Sequence, residues 1–88
     1  MRCLAYPFVT EHRCGTTYVF KNKGDVLPMH THKEGESHIT VVVCGKIKVH
    51  GEGWENEYLE NETIDFPANQ AHEFIALEDD TRIVNIRK

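Results

Sequence analysis

The chain has 88 residues, six histidines and a formal net charge of −4. The length suits one domain, and a domain this small buries only about 60–65% of its unfolded surface, so a metal or a partner subunit is an expected source of stability. The acidic balance, with Lys46, Lys48, Arg82, Arg87 and Lys88 scattered or terminal, excludes a basic face for nucleic acid or an anionic membrane. No apolar run approaches the ~18–20 residues of a membrane span, and the longest is Val41 to Cys44. Met1 to Pro7 holds no apolar stretch of signal-peptide length, which points to the cytoplasm. Cys3, Cys14 and Cys44 cannot all pair within the chain, and none stands in a C-x-x-C spacing, so free thiols are expected and a zinc ribbon is excluded. A Cys3–Cys14 bridge is the alternative.

Helical periodicity is absent, whereas strand signals recur along the chain. Ala5 to Thr10 reads as an edge strand, because Pro7 lacks the amide that a central strand needs. Thr16 to Phe20 is β-branched and aromatic and stops at Asn22-Lys23-Gly24. His38 to Val43 is the strongest strand. Lys46 to His50 alternates cleanly between a turn or bulge at Cys44-Gly45 and a turn at Gly51-Glu52-Gly53. Trp54 to Leu59 alternates less clearly. Thr63 to Phe66 ends at Pro67, His72 to Leu77 follows a polar turn, and Thr81 to Ile86 is the last strand. Short strands every 8–12 residues or so, with turn residues between them, indicate an all-β sandwich or barrel. No linker or internal repeat divides the chain.

Four of the histidines fall where a metal site would need them. His30 and His32 are two apart, which places both on one face of an extended strand. His38 and His72 each open a strand. Neutral imidazoles suit several divalent transition metals. Any one of these histidines alone reads as a surface or hydrogen-bonded residue; the order of all four carries the metal reading. His12 and His50 read as surface residues, His50 at a hairpin end.

Gly24-Asp-Val-Leu-Pro-Met-His30-Thr-His32 has the form G-x5-H-x-H, six residues separate His38 from Gly45, and Pro67-Ala-Asn-Gln-Ala-His72 is like P-x-G-x-x-H. Together these resemble the two signature motifs of the cupin superfamily, over about residues 16–86. The resemblance implies a small antiparallel jelly-roll β-barrel with little or no helix. It also implies one domain over 1–88, residues 1–15 forming an N-terminal edge strand or arm and 16–86 the barrel. The family places two His and a Glu in the first motif and a His in the second, all turned inward around one metal. This sequence departs at the Glu: the spacing to Gly45 lands on His38. Leaving three residues after His32 reaches Glu36, of the same parity, so His38 stands as the third ligand with Glu36 as the alternative. Asn61 and Asn69 replace the second motif's glycines, and Asn is among the few residues that enter the left-handed region readily. Ala76 replaces its final Asn.

The implied cofactor is one divalent transition metal ion (Fe, Mn, Ni, Zn or Cu) held by His30, His32, His38 and His72. Four neutral ligands leave the full +2 charge and, on a six-coordinate ion, two open positions. Such a site resembles those of metal-dependent dioxygenases acting on small polar, anionic or dicarbonyl substrates. The stretch Tyr58 to Pro67, with Val41-Val-Val-Cys-Gly45, also looks like the cupin part of mannose-6-phosphate isomerase-type proteins, so a sugar or sugar-acid isomerase is the alternative, and a non-catalytic metal or small-ligand module the third. Parity sets Thr40, Val42 and Cys44 inward with His38, and Phe74 and Ala76 inward with His72, while Tyr18 and Phe20, or else Val19, close the pocket. Thr40 and Tyr18 are the uncharged polar groups suited to orient a substrate. Cys44 reads as a small buried hydrophobe. Trp54 and Tyr58 share parity and suit either a homodimer interface or core packing.

Overall fold

The computed structural model describes residues 1–30, 38–64 and 71–87. Among these, every regular element is a strand: β1 Leu4–Val9, β2 Cys14–Phe20, β3 Val26–His30, β4 His38–Cys44, β5 Lys46–Gly51, β6 Trp54–Leu59, β7 Thr63–Ile64, β8 His72–Ala76 and β9 Thr81–Arg87. They form two antiparallel sheets of jelly-roll type. The larger has five strands in the order β1-β2-β9-β4-β7, and the smaller has four, β3-β8-β5-β6. No described helix is long and apolar enough to cross a membrane.

The alternation in the sequence becomes the two faces of each sheet. Phe20, Val42, Ile47, Val49, Ile64, Phe74, Ala76 and Ile83 are buried and pack as one core between the sheets. The Val, Ile and Phe side chains among them each contribute about 1.5–3 kcal/mol of burial. Trp54 and Tyr58 pack against this core, so core packing accounts for both. Cys3, Cys14 and Cys44 are all free thiols.

Pro7 sits in β1 opposite Thr16, on the outermost strand of the larger sheet. β3 also carries a proline, Pro28, and its pairing with β8 shifts register between Leu27 and His30. A second shift interrupts β4 against β9 between Val42 and Cys44, leaving Val43 as an extra residue. The turn that follows uses Gly45 at φ 84°. A Cβ there would also meet the Thr81 side chain and its backbone, 2.7 Å from Thr81 Cα, so both conformation and space demand glycine. Asn61 adopts φ 73°, the left-handed conformation that a glycine would otherwise supply.

Candidate metal centre and ligand pocket

β8 alternates strictly. His72, Phe74 and Ala76 are buried, and Glu73 and Ile75 are half-buried on the other face. His72 is 0% exposed, its Nε2 included, and its ring lies 5.6 Å from that of Phe74. Across the sheet His72 stands opposite Gly51 on β5 and opposite His30 on β3. Gly51 leaves room for the Trp54 indole, since a Cβ there would fall 2.6 Å from Trp54 Nε1.

The register also shows which ends of the strands meet. The end of β8 joins the start of β5 through Leu77 N–H donating to Lys46 O at 2.8 Å. The start of β9 joins the same place through Lys46 N–H donating to Thr81 Oγ1 at 3.2 Å. β4 ends there too, one residue before β5 begins. The opposite end therefore collects the start of β4, the start of β8 and the end of β9. It also collects the end of β3, because His30 pairs with His72. His30, His38 and His72 consequently occupy positions at one end of the molecule. His30 and His38 are placed here by backbone position alone. His32 and Glu36 lie outside the described residues. No group of three or more His, Cys, Asp or Glu side chains assembles among the described residues.

Below that end the inner face of the larger sheet carries a polar rung. Thr16, Asn85 and Thr40 stand side by side on β2, β9 and β4. Thr40 is 2% exposed, and its Oγ1 accepts a hydrogen bond from Asn85 Nδ2 at 2.8 Å. The next rung inward is Tyr18, Ile83 and Val42, which belongs to the core floor. The next rung outward is Cys14, Arg87 and His38. Asn85 and Arg87 were not singled out from the sequence, although the two-residue step from the apolar Ile83 points to both.

Three expectations need correction. His50 does lie on the outer face beside the hairpin turn, but it is half-buried rather than freely exposed, and its Nε2 lies 2.8 Å from Glu73 Oε1. Cys44 is half-buried rather than inward, because the bulge at Val43 breaks the parity. Its thiol donates to the Asp80 carbonyl at 3.2 Å. Phe20, fully buried, belongs to the core, while Tyr18 packs beside it half-buried.

No protein-family model matches the sequence, and no curated protein matches it. Solved structures do. An uncharacterized conserved protein with a double-stranded β-helix domain from Klebsiella pneumoniae superposes with a TM-score of 0.80 at 15% identity, over 98% of this chain and 76% of that one. An RmlC-like cupin protein from Desulfovibrio desulfuricans gives 0.77 at 23% identity, over 98% and 82%. This chain has the cupin fold. The KdgF structure from a Halomonas species has the same architecture, with a TM-score of 0.73 at 24% identity over 91% of this chain and 72% of that one. In cupin terms, the resemblance of the two histidine motifs rests on strands that the structure contains: β3 ends on the first motif's first histidine, and β8 begins on the second motif's histidine.

Proposed function

We propose that this chain is a metal-binding cupin in which His30, His32, His38 and His72 hold one divalent transition metal ion, with Glu36 the alternative to His38. The reading is carried by one observation: His72, fully buried, stands directly across the β3–β8 ladder from His30. Directly opposed residues have Cβ atoms about 4.5–5.5 Å apart, a separation that suits two imidazoles sharing one ion. The donor set fits, since neutral imidazoles suit Zn, Cu, Fe and Ni, and Mn to a lesser degree. When bound, the ion would supply Lewis acidity toward a small polar substrate.

The protein's own groups support a small polar substrate. Asn85 and Thr40 form a hydrogen-bonded amide–hydroxyl pair at 2.8 Å, and groups of this chemistry suit a carbonyl or hydroxyl ligand. Tyr18, half-buried against the core one rung below, is the further uncharged polar group taken to face the ligand. Arg87, one rung further out, supplies a fixed positive charge near the mouth, which suits a carboxylate. The apolar floor of Val42, Phe74 and Ile83 excludes water beneath it. A small polar, anionic or dicarbonyl molecule matches this lining, and a dioxygenase-type activity is the first reading. The second reading, a sugar or sugar-acid isomerase, is favoured by the Tyr58 to Pro67 segment. We take the protein to be a cytoplasmic, single-domain homodimer.

Elemental analysis of purified wild type and of a His30→Ala/His72→Ala variant tests the centre. About one equivalent of metal in the wild type and a loss of most of it in the variant is the expected outcome. Unchanged metal in the variant overturns the reading. Dioxygen uptake with dicarbonyl substrates then separates the first activity from the second, and bound metal without turnover on either substrate class leaves a non-catalytic module.

A further inference from the structure

The four-stranded sheet carries its own row of residues at the histidine end. Trp54, Gly51, His72 and His30 stand side by side on β6, β5, β8 and β3. The next rung inward is Asn56, Val49, Phe74 and Leu27. Val49 and Phe74 are buried, and Trp54 packs against the same core, so its indole lies on the inner face. Between Trp54 and His72 the outer rung holds only a glycine.

Gly51 is there for space. Gly24, Gly45 and Gly53 adopt positive φ, and Gly51 does not. A Cβ on Gly51 would stand 2.6 Å from Trp54 Nε1 and 2.7 Å from Trp54 Cε2, closer than real Cβ atoms approach. The indole thus occupies the room that a side chain between β6 and β8 would fill. A glycine inside a strand weakens it and marks a close approach by another group. Here that group is the indole. Opposed Cα atoms are about 4.5–5.5 Å apart, so a ring seated over Gly51 comes within one strand spacing of His72. Phe74 flanks the His72 ring from the rung below, with centroids 5.6 Å apart. Core packing holds one side of the indole. Trp54 nevertheless stays half-buried, whereas Phe74 is sealed at 3% exposure.

We infer that Trp54 is a specificity-determining wall of the ligand pocket, giving the bound ligand a flat π surface beside His72. The ligand class that fits is a planar conjugated acid, such as an aryl α-keto acid, rather than a saturated acid of equal charge. The inference rests on the metal-centre reading above and narrows its substrate. Thr40 and Asn85 suit carbonyl or hydroxyl oxygens, and Arg87 suits a carboxylate. Neither contact distinguishes a flat ring from a puckered one. An indole does, because its π face prefers another π system in offset or edge-on contact. An aliphatic wall, of the kind Val42 and Ile83 make in the core floor, would accept both rings alike.

Trp54 is the sole tryptophan of the chain, so its emission reports its own surroundings. The full chain is first titrated with Ni(II), a quencher of nearby indoles. About one equivalent should quench most of the emission, and the His30→Ala/His72→Ala variant should show no such quench. The Ni(II)-loaded protein is then titrated calorimetrically with phenylglyoxylate and with cyclohexylglyoxylate. The two acids share charge and chelating group and differ in the ring. Phenylglyoxylate should bind about 3- to 10-fold tighter, the range of an aromatic pair's preference. Trp54→Leu, still loaded with Ni(II), should bind the two acids equally, whereas a purely structural role for Trp54 would leave the ratio unchanged. Trp54→Met takes its place if the leucine variant does not fold, and the wild-type measurements need no variant. Three results overturn the wall and leave the metal centre standing: bound Ni(II) without quenching, a wild type that binds neither acid or shows no preference, and a variant that keeps the preference. A wild type that takes up no Ni(II) overturns both.

Discussion

Replacing His72 with leucine separates a metal ligand from a histidine buried only for packing. Leucine is apolar and of similar volume, and His72 is fully buried against Phe74, so the metal-free variant should lie within about 2 kcal/mol of metal-free wild type. The two proteins should part when metal is added. An ion that binds only the native state stabilises it by about 2.7 kcal/mol at a free concentration 100-fold above its dissociation constant. For a domain of this size each kcal/mol moves the melting temperature by about 4–8 °C, so wild type should gain roughly 11–22 °C. The variant, lacking the ligand opposite His30, should gain a few degrees at most. Thermal unfolding after chelation, with Mn(II), Ni(II), Zn(II) and anaerobic Fe(II) titrated back, reads both quantities in one experiment. An equal metal-dependent gain in wild type and His72→Leu refutes the reasoning, whatever the two metal-free stabilities are.

Gly45→Ala should be among the most damaging single substitutions. It forces alanine to φ 84° and presses its methyl on Thr81, whose Oγ1 accepts from Lys46 N–H and donates to Glu78 O. A loss of about 2–5 kcal/mol in urea unfolding is expected. Thr40→Val leaves the Asn85 amide without its 2.8 Å acceptor and should cost about 1–2 kcal/mol, while turnover falls further than that loss of folded protein explains. Burial raises the Cys3 thiol above its ordinary value of 9.0, with the nearby Asp25 charge adding to the effect and Arg2 opposing it. The folded state therefore holds this proton more tightly than the unfolded chain. The associated stability is complete below about pH 9 and is lost as pH rises through the folded value. Wild type should lose more stability than Cys3→Ala between neutral and strongly alkaline pH, and Cys3 should alkylate slowly near pH 8.

Most strands were legible because one face of each is buried, which imprints a two-residue period on the sequence. β4, β5 and β8 are of this kind. β3 was harder to read because Pro28 argues against a strand, and the register shift between Leu27 and His30 is what accommodates the irregularity. Cys44 went astray for a related reason: parity cannot be carried across a bulge that is invisible in the sequence. The His50–Glu73 and Thr40–Asn85 pairs were illegible because their members lie 23 and 45 residues apart and meet only through sheet register. Asn61 was readable through the resemblance, since it stands at a motif glycine and Asn enters the left-handed region readily.

The order of strands bears on how this chain is made. Among the described strands, β9 is the link between β2 and β4 in the larger sheet, and β8 the link between β3 and β5 in the smaller. A ribosome that has delivered residues 1–71 has therefore produced, among the described pairings, the β1–β2 and β5–β6 hairpins, the β4–β7 pair and the Arg2–Val26 bridge, and none of these completes either sheet. Their inward strand edges stay open until residues 72–87 emerge, and open edges are templates for pairing with other nascent chains. Chains released early should accumulate as aggregates rather than as partly folded monomers, and the last two strands act as the closing step of folding.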